Sequence, residues 1–245
     1  MVIALIPARY ASTRFPGKPL ANIAGKPMVQ HVYERVNQAA KVSQVYVATD
    51  DERIAKVVQD FGGEYIMTDP DLPTGTDRIA AAALETRADI IVNVQGDEPL
   101  IEPGLIDDTI DPVLYNPNID IATPIKRITS SEDLFNPNVV KVVLGEENRA
   151  LYFSRSAIPY RRDIPQNRWL DGYTYWKHLG LYVYRKPTLL KFAETEQTDL
   201  ERAEQLEQLR ILAHGVHIHC VETEYETVAV DRPEDIAKVE ALITA

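Results

Sequence analysis

The sequence predicts an α/β protein with a mixed, mostly parallel central sheet. Three continuous apolar runs carry this prediction, and each ends in loop residues: they are residues 2–6, 45–49 and 90–94. Continuous β-branched runs are typical of strands that helices cover on both faces. The carboxyl ends of parallel strands meet at one edge of a sheet, where α/β proteins bind ligands.

Two apolar stripes predict the helices between these strands. The stripes cover residues 28–36, with Pro27 at the start, and residues 54–61, with Gly62 and Gly63 at the end. In both stripes apolar side chains recur at a spacing of three or four, which places them on one helix face. Proline at the start and glycine at the end suit helix termini.

The second half of the chain has a different pattern. Residues 119–184 contain short strand-like pieces joined by a polar, aromatic stretch at 161–176. This pattern predicts an antiparallel extension that acts as a lid. The chain then returns to helix, to a strand at 227–230 and to a helix beginning at Arg232-Pro233. We expect one domain over residues 1–245, because this length suits one large α/β core.

Composition excludes several classes of protein. The net charge is −11, so non-specific binding to nucleic acid or anionic lipid is not expected, and any bound anion needs a local basic cluster. Cys220 is the single cysteine, which excludes an intrachain disulfide and suits a reducing compartment. The first apolar run is too short for a signal peptide or a membrane span. We therefore expect a cytoplasmic protein without membrane insertion.

A basic loop follows the first predicted strand. Arg9, Arg14 and Lys18 lie in a segment that also contains Gly17 and small polar residues. Cations and backbone N–H groups at a strand exit are typical of a phosphate site, so we expect this loop to bind phosphate. The alternative is that it is a solvated basic loop without a ligand. The segment matches neither a P-loop nor the dinucleotide-binding glycine fingerprint, which argues against an ordinary kinase or dehydrogenase.

The basic loop resembles the opening signature of sugar-activating cytidylyltransferases, and other segments extend the resemblance in order along nearly the whole chain. The matching segments are Pro7-Ala8-Arg9 to Lys18-Pro19-Leu20, Asn93-Val94-Gln95-Gly96-Asp97-Glu98-Pro99, Ala150-Leu151-Tyr152-Phe153-Ser154-Arg155, Lys177-His178-Leu179-Gly180, Leu206-Glu207-Gln208-Leu209-Arg210 and Val230-Asp231-Arg232-Pro233-Glu234-Asp235. Together they resemble the 3-deoxy-manno-octulosonate (Kdo) cytidylyltransferases, or CMP-Kdo synthetases.

The resemblance implies a fold and a reaction. The fold is that of the Rossmann-like nucleotide-diphospho-sugar transferases. The reaction joins CTP and Kdo to form CMP-Kdo and pyrophosphate for lipopolysaccharide assembly, with Mg²⁺ as the cofactor and a homodimer as the usual assembly. Two alternatives remain open: an enzyme for 8-amino-Kdo or another nonulosonic acid, and a non-catalytic nucleotide-sensing protein.

Two carboxylates at predicted strand exits are the candidate metal ligands. The resemblance makes Asp97 and Asp231 the Mg²⁺ pair, and hard oxygen ligands are what Mg²⁺ prefers. The alternatives are local: Asp97 as a turn former or helix cap, and Asp231 as an N-cap ahead of Pro233. The catalytic residues implied by the resemblance are Arg9, Lys18 and Asp97.

A second loop, at residues 73–78, is the other nucleotide-binding candidate. By resemblance, Gly75, Thr76 and Arg78 hold CTP together with the basic loop. Thr74 replaces the serine usual in the related enzymes, which leaves a contact from that position open. The alternatives are that Thr76 or Asp77 caps a helix over residues 79–86 and that Arg78 is a solvated first-turn charge.

By resemblance, the candidate sugar-binding residues are Gln95, Arg155, His178, Glu207 and Gln208, which lie mostly in the second half. Kdo carries a carboxylate and many hydroxyls, which call for a guanidinium and several hydrogen-bonding side chains. A helix around 200–212 is predicted to carry an apolar row that Glu207 interrupts. The alternatives are a structural histidine and a glutamate at the edge of that row.

Overall fold

The computed structural model describes residues 1–11 and 15–243. The strands of this described part are β1 (Val2–Ala8), β2 (Asn22–Ile23), β3 (Lys26–Pro27), β4 (Gln44–Thr49), β5 (Tyr65–Met67), β6 (Ile90–Asn93), β7 (Ile121–Arg127), β8 (Lys141–Leu144), β9 (Ala150–Ser154), β10 (Trp176–His178), β11 (Tyr182–Arg185) and β12 (His219–Glu222). The helices are α1 (Met28–Val36), α2 (Glu52–Asp60), α3 (Gly75–Leu84), α4 (Pro103–Tyr115), α5 (Ser131–Phe135), α6 (Lys186–Ala193), α7 (Asp199–Glu204), α8 (Gln208–Ala213) and α9 (Asp235–Ile243).

A mixed sheet forms the centre of the fold, as the sequence predicts. Its strand order is β5-β4-β1-β6-β11-β7-β10-β8-β9, and β12 pairs with β7. Strands β5, β4, β1 and β6 pair in parallel, whereas β11 joins β6 to β7 by antiparallel pairing. The doubly wound first half therefore continues directly into the antiparallel half.

Helices cover both faces of this sheet. Alternate residues of β1 belong to different cores: Val2, Ala4 and Ile6 lie in one, and Ile3 and Leu5 lie in the other. The first core takes its helical residues from α1, α2 and α4, and the second takes them from α3, α6 and α8. Burial on both sides explains why the β1 sequence is continuously apolar rather than alternating.

The structure corrects two predictions for helices in the first half, one about which residues are buried and one about where a helix begins. In α2 the buried residues are Ile54, Ala55 and Val58, while Val57 and Phe61 only flank the core. Helix α3 begins at Gly75, four residues before the predicted start.

The C-terminal predictions need larger corrections. Residues 227–230 are irregular instead of forming a strand, and α9 begins at Asp235, two residues beyond Pro233. The predicted helix at 200–212 is divided into α7 and α8 by Gln205, whose φ is 54°.

Strands β7 to β11 form the predicted antiparallel region. The aromatic stretch at 161–176 packs here around a small separate core of Ile128, Leu134, Trp169 and Tyr175. Strand β11 lies in the middle of the main sheet, so the antiparallel region is continuous with the rest of the fold. Its role as a lid stays a prediction. Among the described residues, no helix is both long and apolar enough to cross a membrane.

Candidate active site

Two adjoining cavities open where β1 and β6 end. The first has a volume of about 240 Å³, and its lining includes Arg9, Lys18 and Asp97. The second has a volume of about 260 Å³ and lies towards α8. Gly75 and Gln95 line both cavities. Together the cavities fall in the range of about 300–1,000 Å³ that is usual for small-molecule sites.

Lys18 joins three segments of the chain in the first cavity. Its Nζ donates to Asp97 Oδ2 at 2.7 Å and to the Val230 carbonyl at 3.0 Å. The Val230 N–H in turn donates to the Asp97 carbonyl at 2.9 Å. The basic loop, the β6 exit and the segment before α9 therefore meet at one ion pair, and Asp231 lies on the same cavity wall.

The β6 exit approaches β1 closely because residue 96 is glycine. A Cβ at Gly96 would lie 2.7 Å from the Pro7 carbonyl oxygen, so a larger residue would force the two segments apart. The close approach brings the β6 exit, and with it Asp97, to the cavity wall beside the end of β1. The next residue, Glu98, is only 6% exposed, and burial together with the adjacent Asp97 raises the pKa of its carboxyl to about 8.

The start of α3 forms the wall between the two cavities. Thr74 caps the helix: its hydroxyl accepts from the Asp77 N–H, and Asp77 accepts from the Thr74 N–H in a capping box. The cap is therefore Thr74 and not Thr76 or Asp77 as in the alternative interpretation. Because Thr74 does what serine does in this motif, its replacement of the family's serine leaves the helix start intact.

Arg78 and Thr76 point away from solvent. Arg78 is 3% exposed and donates to Thr68 and to Asp50, so it is not a solvated first-turn charge. It still lines the first cavity. The Thr76 hydroxyl donates to Glu207 Oε2 at 2.5 Å, which connects the start of α3 to the second cavity.

Most of the predicted sugar-binding residues line the second cavity. These are Gln95, His178, Glu207 and Gln208. Burial raises the pKa of Glu207, while the Thr76 hydrogen bond and Arg210 oppose that shift. The apolar row that Glu207 was predicted to interrupt does not form, because Leu200 and Ala203 are exposed and Gln205 breaks the helix between them and Glu207. Glu207 is nevertheless desolvated.

One predicted site residue lies elsewhere, and another falls outside the described residues. Arg155 is outside the lining of the second cavity, and its guanidinium donates to the carbonyls of Pro137, Glu204 and Gln205. These carbonyls include those at the break between α7 and α8, so Arg155 holds the segment that precedes Glu207. Arg14 is among residues 12–14, which lie outside the described residues.

Sequence reasoning missed two tyrosines of the second cavity. Tyr182 and Tyr184 lie on one face of β11, with ring centroids 5.7 Å apart. The Tyr182 hydroxyl is buried and has no hydrogen-bond partner among the described residues. A buried, unpaired hydroxyl on a cavity wall marks a position where a polar ligand restores a hydrogen bond. The alternating tyrosines in residues 182–184 were the signal available in the sequence.

The described residues offer a limited set of metal ligands. They contain no cluster of three or more His, Cys, Asp or Glu side chains placed to hold a metal. Asp97 and Asp231 do line one cavity, and Mg²⁺ is commonly held by one or two carboxylates with substrate phosphates and water completing its shell. The donor set therefore fits Mg²⁺ bound together with a nucleotide, and not a metal held by the protein alone.

Comparisons with known proteins identify the family. The cytidylyltransferase family model matches residues 3–218. A curated 3-deoxy-manno-octulosonate cytidylyltransferase from Geobacter sulfurreducens is 54% identical over 97% of this chain and 97% of its own length. One from Solibacter usitatus is 47% identical over 100% of this chain and 95% of its own length.

Solved structures give the same result. A CMP:2-keto-3-deoxy-manno-octonic acid synthetase in complex with CTP superposes with a TM-score of 0.92 at 43% identity, covering 99% of this chain and 98% of that chain. A 4-diphosphocytidyl-2C-methyl-D-erythritol synthase from Anaerococcus prevotii, at 13% identity and a TM-score of 0.64, shares the fold alone. The chain belongs to the cytidylyltransferase family, within its group of 3-deoxy-manno-octulosonate cytidylyltransferases.

Proposed function

We propose that this protein transfers CMP from CTP to the anomeric hydroxyl of Kdo, forming CMP-Kdo and pyrophosphate for lipopolysaccharide assembly. The observation that carries the proposal is the pair of adjoining cavities that share Gly75 and Gln95. One cavity has cations and carboxylates at strand ends, and the other has hydroxyl, amide, imidazole and carboxylate groups. A nucleotide and a polyol need these two kinds of environment.

The charge distribution favours one orientation of the sugar. The described lining of the second cavity contains no Lys or Arg, whereas Arg9, Lys18 and Arg78 line the first. The carboxylate of Kdo is bonded to the anomeric carbon, so this end belongs beside the cations and the α-phosphate. The hydroxyl-bearing tail then extends into the second cavity, towards Glu207 and His178.

The residues contribute mainly by alignment and charge neutralisation. The anomeric hydroxyl loses its proton to solvent and attacks the α-phosphorus in line while the bond to pyrophosphate breaks. Arg9 and Lys18 stabilise the negative charge that grows on the leaving group, and Arg14 is proposed to assist them. Such transfer needs little covalent participation by the protein, so positioning and electrostatics supply most of the rate.

Asp97 and Asp231 are the proposed ligands of Mg²⁺. When bound, Mg²⁺ supplies charge neutralisation at the phosphates and favours ionisation of a nearby hydroxyl. Lys18 contributes to this site through its 2.7 Å contact with Asp97, which holds the carboxylate on the cavity wall. We also propose a cytoplasmic location, where CTP is available, and a homodimer.

The test is pyrophosphate release from CTP with Mg²⁺ and a panel of sugar acids. We expect release with CTP and Kdo and little release with UTP or without sugar. An acceptor-rich cavity without cations also suits an ammonium, so 8-amino-Kdo belongs in the panel, and its relative kcat/KM decides between the two sugars. The absence of CTP-dependent release with every sugar would contradict the proposal.

A further inference from the structure

His178 is held on the wall of the second cavity by aromatic and polar contacts. Its ring lies 5.2 Å from the rings of Phe153 and Tyr182, measured between centroids. Burial lowers the pKa of His178 to about 3, so the imidazole is neutral at physiological pH. A neutral imidazole carries a proton on one nitrogen only, and the other nitrogen accepts.

Thr123 lies behind this ring, within the sheet. It is on β7, is fully buried, and its Oγ1 is 2.9 Å from His178 Nε2. Between β10 and β11 the chain makes a tight turn in which the Leu181 N–H donates to the Leu179 carbonyl at 2.8 Å. This turn brings the Leu181 carbonyl within 2.7 Å of Thr123 Oγ1, while the Leu179 carbonyl lies at 3.4 Å.

The hydroxyl of Thr123 has one proton for these neighbours. A carbonyl oxygen only accepts, and a separation of 2.7 Å from Leu181 is that of a well-formed O–H···O bond. The proton of Thr123 therefore goes to a carbonyl. His178 Nε2 then faces a lone pair of Thr123, and only an N–H at Nε2 makes that 2.9 Å contact favourable.

We propose that Thr123 is a positioning residue that fixes His178 as the Nε2–H tautomer and so presents Nδ1 to the second cavity as a hydrogen-bond acceptor for a sugar hydroxyl. No described residue hydrogen-bonds Nδ1. The identity of the donor rests on the proposed function, whereas the tautomer does not. An acceptor at this position selects a substrate with a hydroxyl there over an analogue that lacks it.

The tautomer is tested directly in the wild-type protein without substrate. Side-chain ¹⁵N NMR distinguishes a protonated from an unprotonated ring nitrogen, and the His178 signals are those missing from an H178N variant. We expect Nε2 protonated and Nδ1 unprotonated. A neutral ring protonated at Nδ1 would overturn the proposal, even if every Thr123 variant failed to fold.

The consequence for binding is tested with T123V and T123S. T123V keeps the shape but removes the hydroxyl, so the KM for the sugar should rise about three- to tenfold, the effect of losing one neutral hydrogen bond. The KM for CTP should stay the same, and T123S should restore both the tautomer and the sugar KM. A folded T123V enzyme with an unchanged sugar KM would contradict the proposal.

The two levels of the proposal fail separately. If wild-type protein shows the Nε2–H tautomer but no CTP-dependent pyrophosphate release, the proposed function fails and the assignment of the tautomer stands. If the enzyme is active on Kdo and the tautomer is Nδ1–H, the positioning role of Thr123 fails alone.

Discussion

The substitution E207Q separates sugar binding from nucleotide binding. Glu207 accepts a hydrogen bond from Thr76 through Oε2 and lines the second cavity, where we expect its other oxygen to accept from a sugar hydroxyl. Glutamine keeps the shape and one acceptor but removes the charge. A hydrogen bond to a charged group contributes about 1.5–3 kcal/mol, compared with about 0.5–1.5 kcal/mol between neutral groups.

The expected loss is therefore about 1 kcal/mol for each sugar hydroxyl that Glu207 binds. One such bond corresponds to an increase of about fivefold in the KM for Kdo, and two correspond to about 25-fold.

The stability of the protein should not fall in E207Q. Burial raises the pKa of Glu207 above its usual value, so the free energy of unfolding falls as the pH rises through the folded-state pKa and the buried carboxyl ionises. E207Q removes this cost because glutamine does not ionise.

Pyrophosphate release at saturating CTP gives the KM for Kdo, and calorimetry gives the affinity for CTP. E196Q is the matched control, because it makes the same change on an exposed side chain. Thermal unfolding at pH 8 separates a binding defect from misfolding. An unchanged KM for Kdo in folded E207Q would place Glu207 outside sugar binding and refute the assignment of the second cavity.

Other perturbations address the first cavity and the pH dependence. D97N should lower kcat at least about 100-fold at saturating Mg²⁺ without unfolding the protein, and near-wild-type turnover would remove Asp97 from the metal site. R14A should weaken CTP binding by about 1.5–3 kcal/mol, which calorimetry measures directly; unchanged affinity would exclude Arg14 from phosphate binding. Chelation by EDTA should abolish pyrophosphate release and added Mg²⁺ should restore it, whereas activity that persists in EDTA would argue against a metal. His178 has a folded-state pKa of about 3 against 6.5 for the free group, so its contribution to stability is lost as the pH falls from 6.5 towards 3. Between neutral pH and pH 5, the free energy of unfolding of the wild type should therefore fall by about 2 kcal/mol more than that of H178N, as measured by urea unfolding. Parallel plots of unfolding free energy against pH for the two proteins would contradict the shifted pKa.

The sequence predicts the first half of the fold well because burial there is simple. Strands β1, β4 and β6 are covered on both faces, so their apolar runs are unmistakable, and the polar residues that follow them converge as predicted. The Lys18–Asp97 ion pair is the clearest result of this convergence, since 79 positions of sequence separate its partners.

The second half depends on long-range contacts that local patterns do not encode. Glu207 is desolvated by its burial beside the start of α3, where it accepts from Thr76, and not because it interrupts an apolar row. The segment before Asp231 was predicted as a strand from its β-branched residues, but its Val230 N–H bonds to the loop after β6 and not to a strand. Asp235 accepts from the backbone N–H groups of Asp231 and Arg232 before α9, a contact for which the sequence pattern gave no signal.

Thr123 shows the same limit at the level of one atom. Residues 121–125 give no sign that one threonine faces a histidine 55 positions later. The tight turn at Leu179–Leu181 creates the carbonyl that takes the threonine proton, and only the assembled sheet brings the three groups together.

A crystal structure with CTP and Mn²⁺ in place of Mg²⁺ would show where the nucleotide and the metal bind, because Mn²⁺ is located by its anomalous scattering. The proposed assignment of the two cavities predicts the triphosphate beside Arg9 and Lys18, the Mn²⁺ peak between the phosphates and the carboxylates of Asp97 and Asp231, and the second cavity free to accept the sugar. A nucleotide bound in the second cavity, or a Mn²⁺ peak remote from both carboxylates, would contradict it.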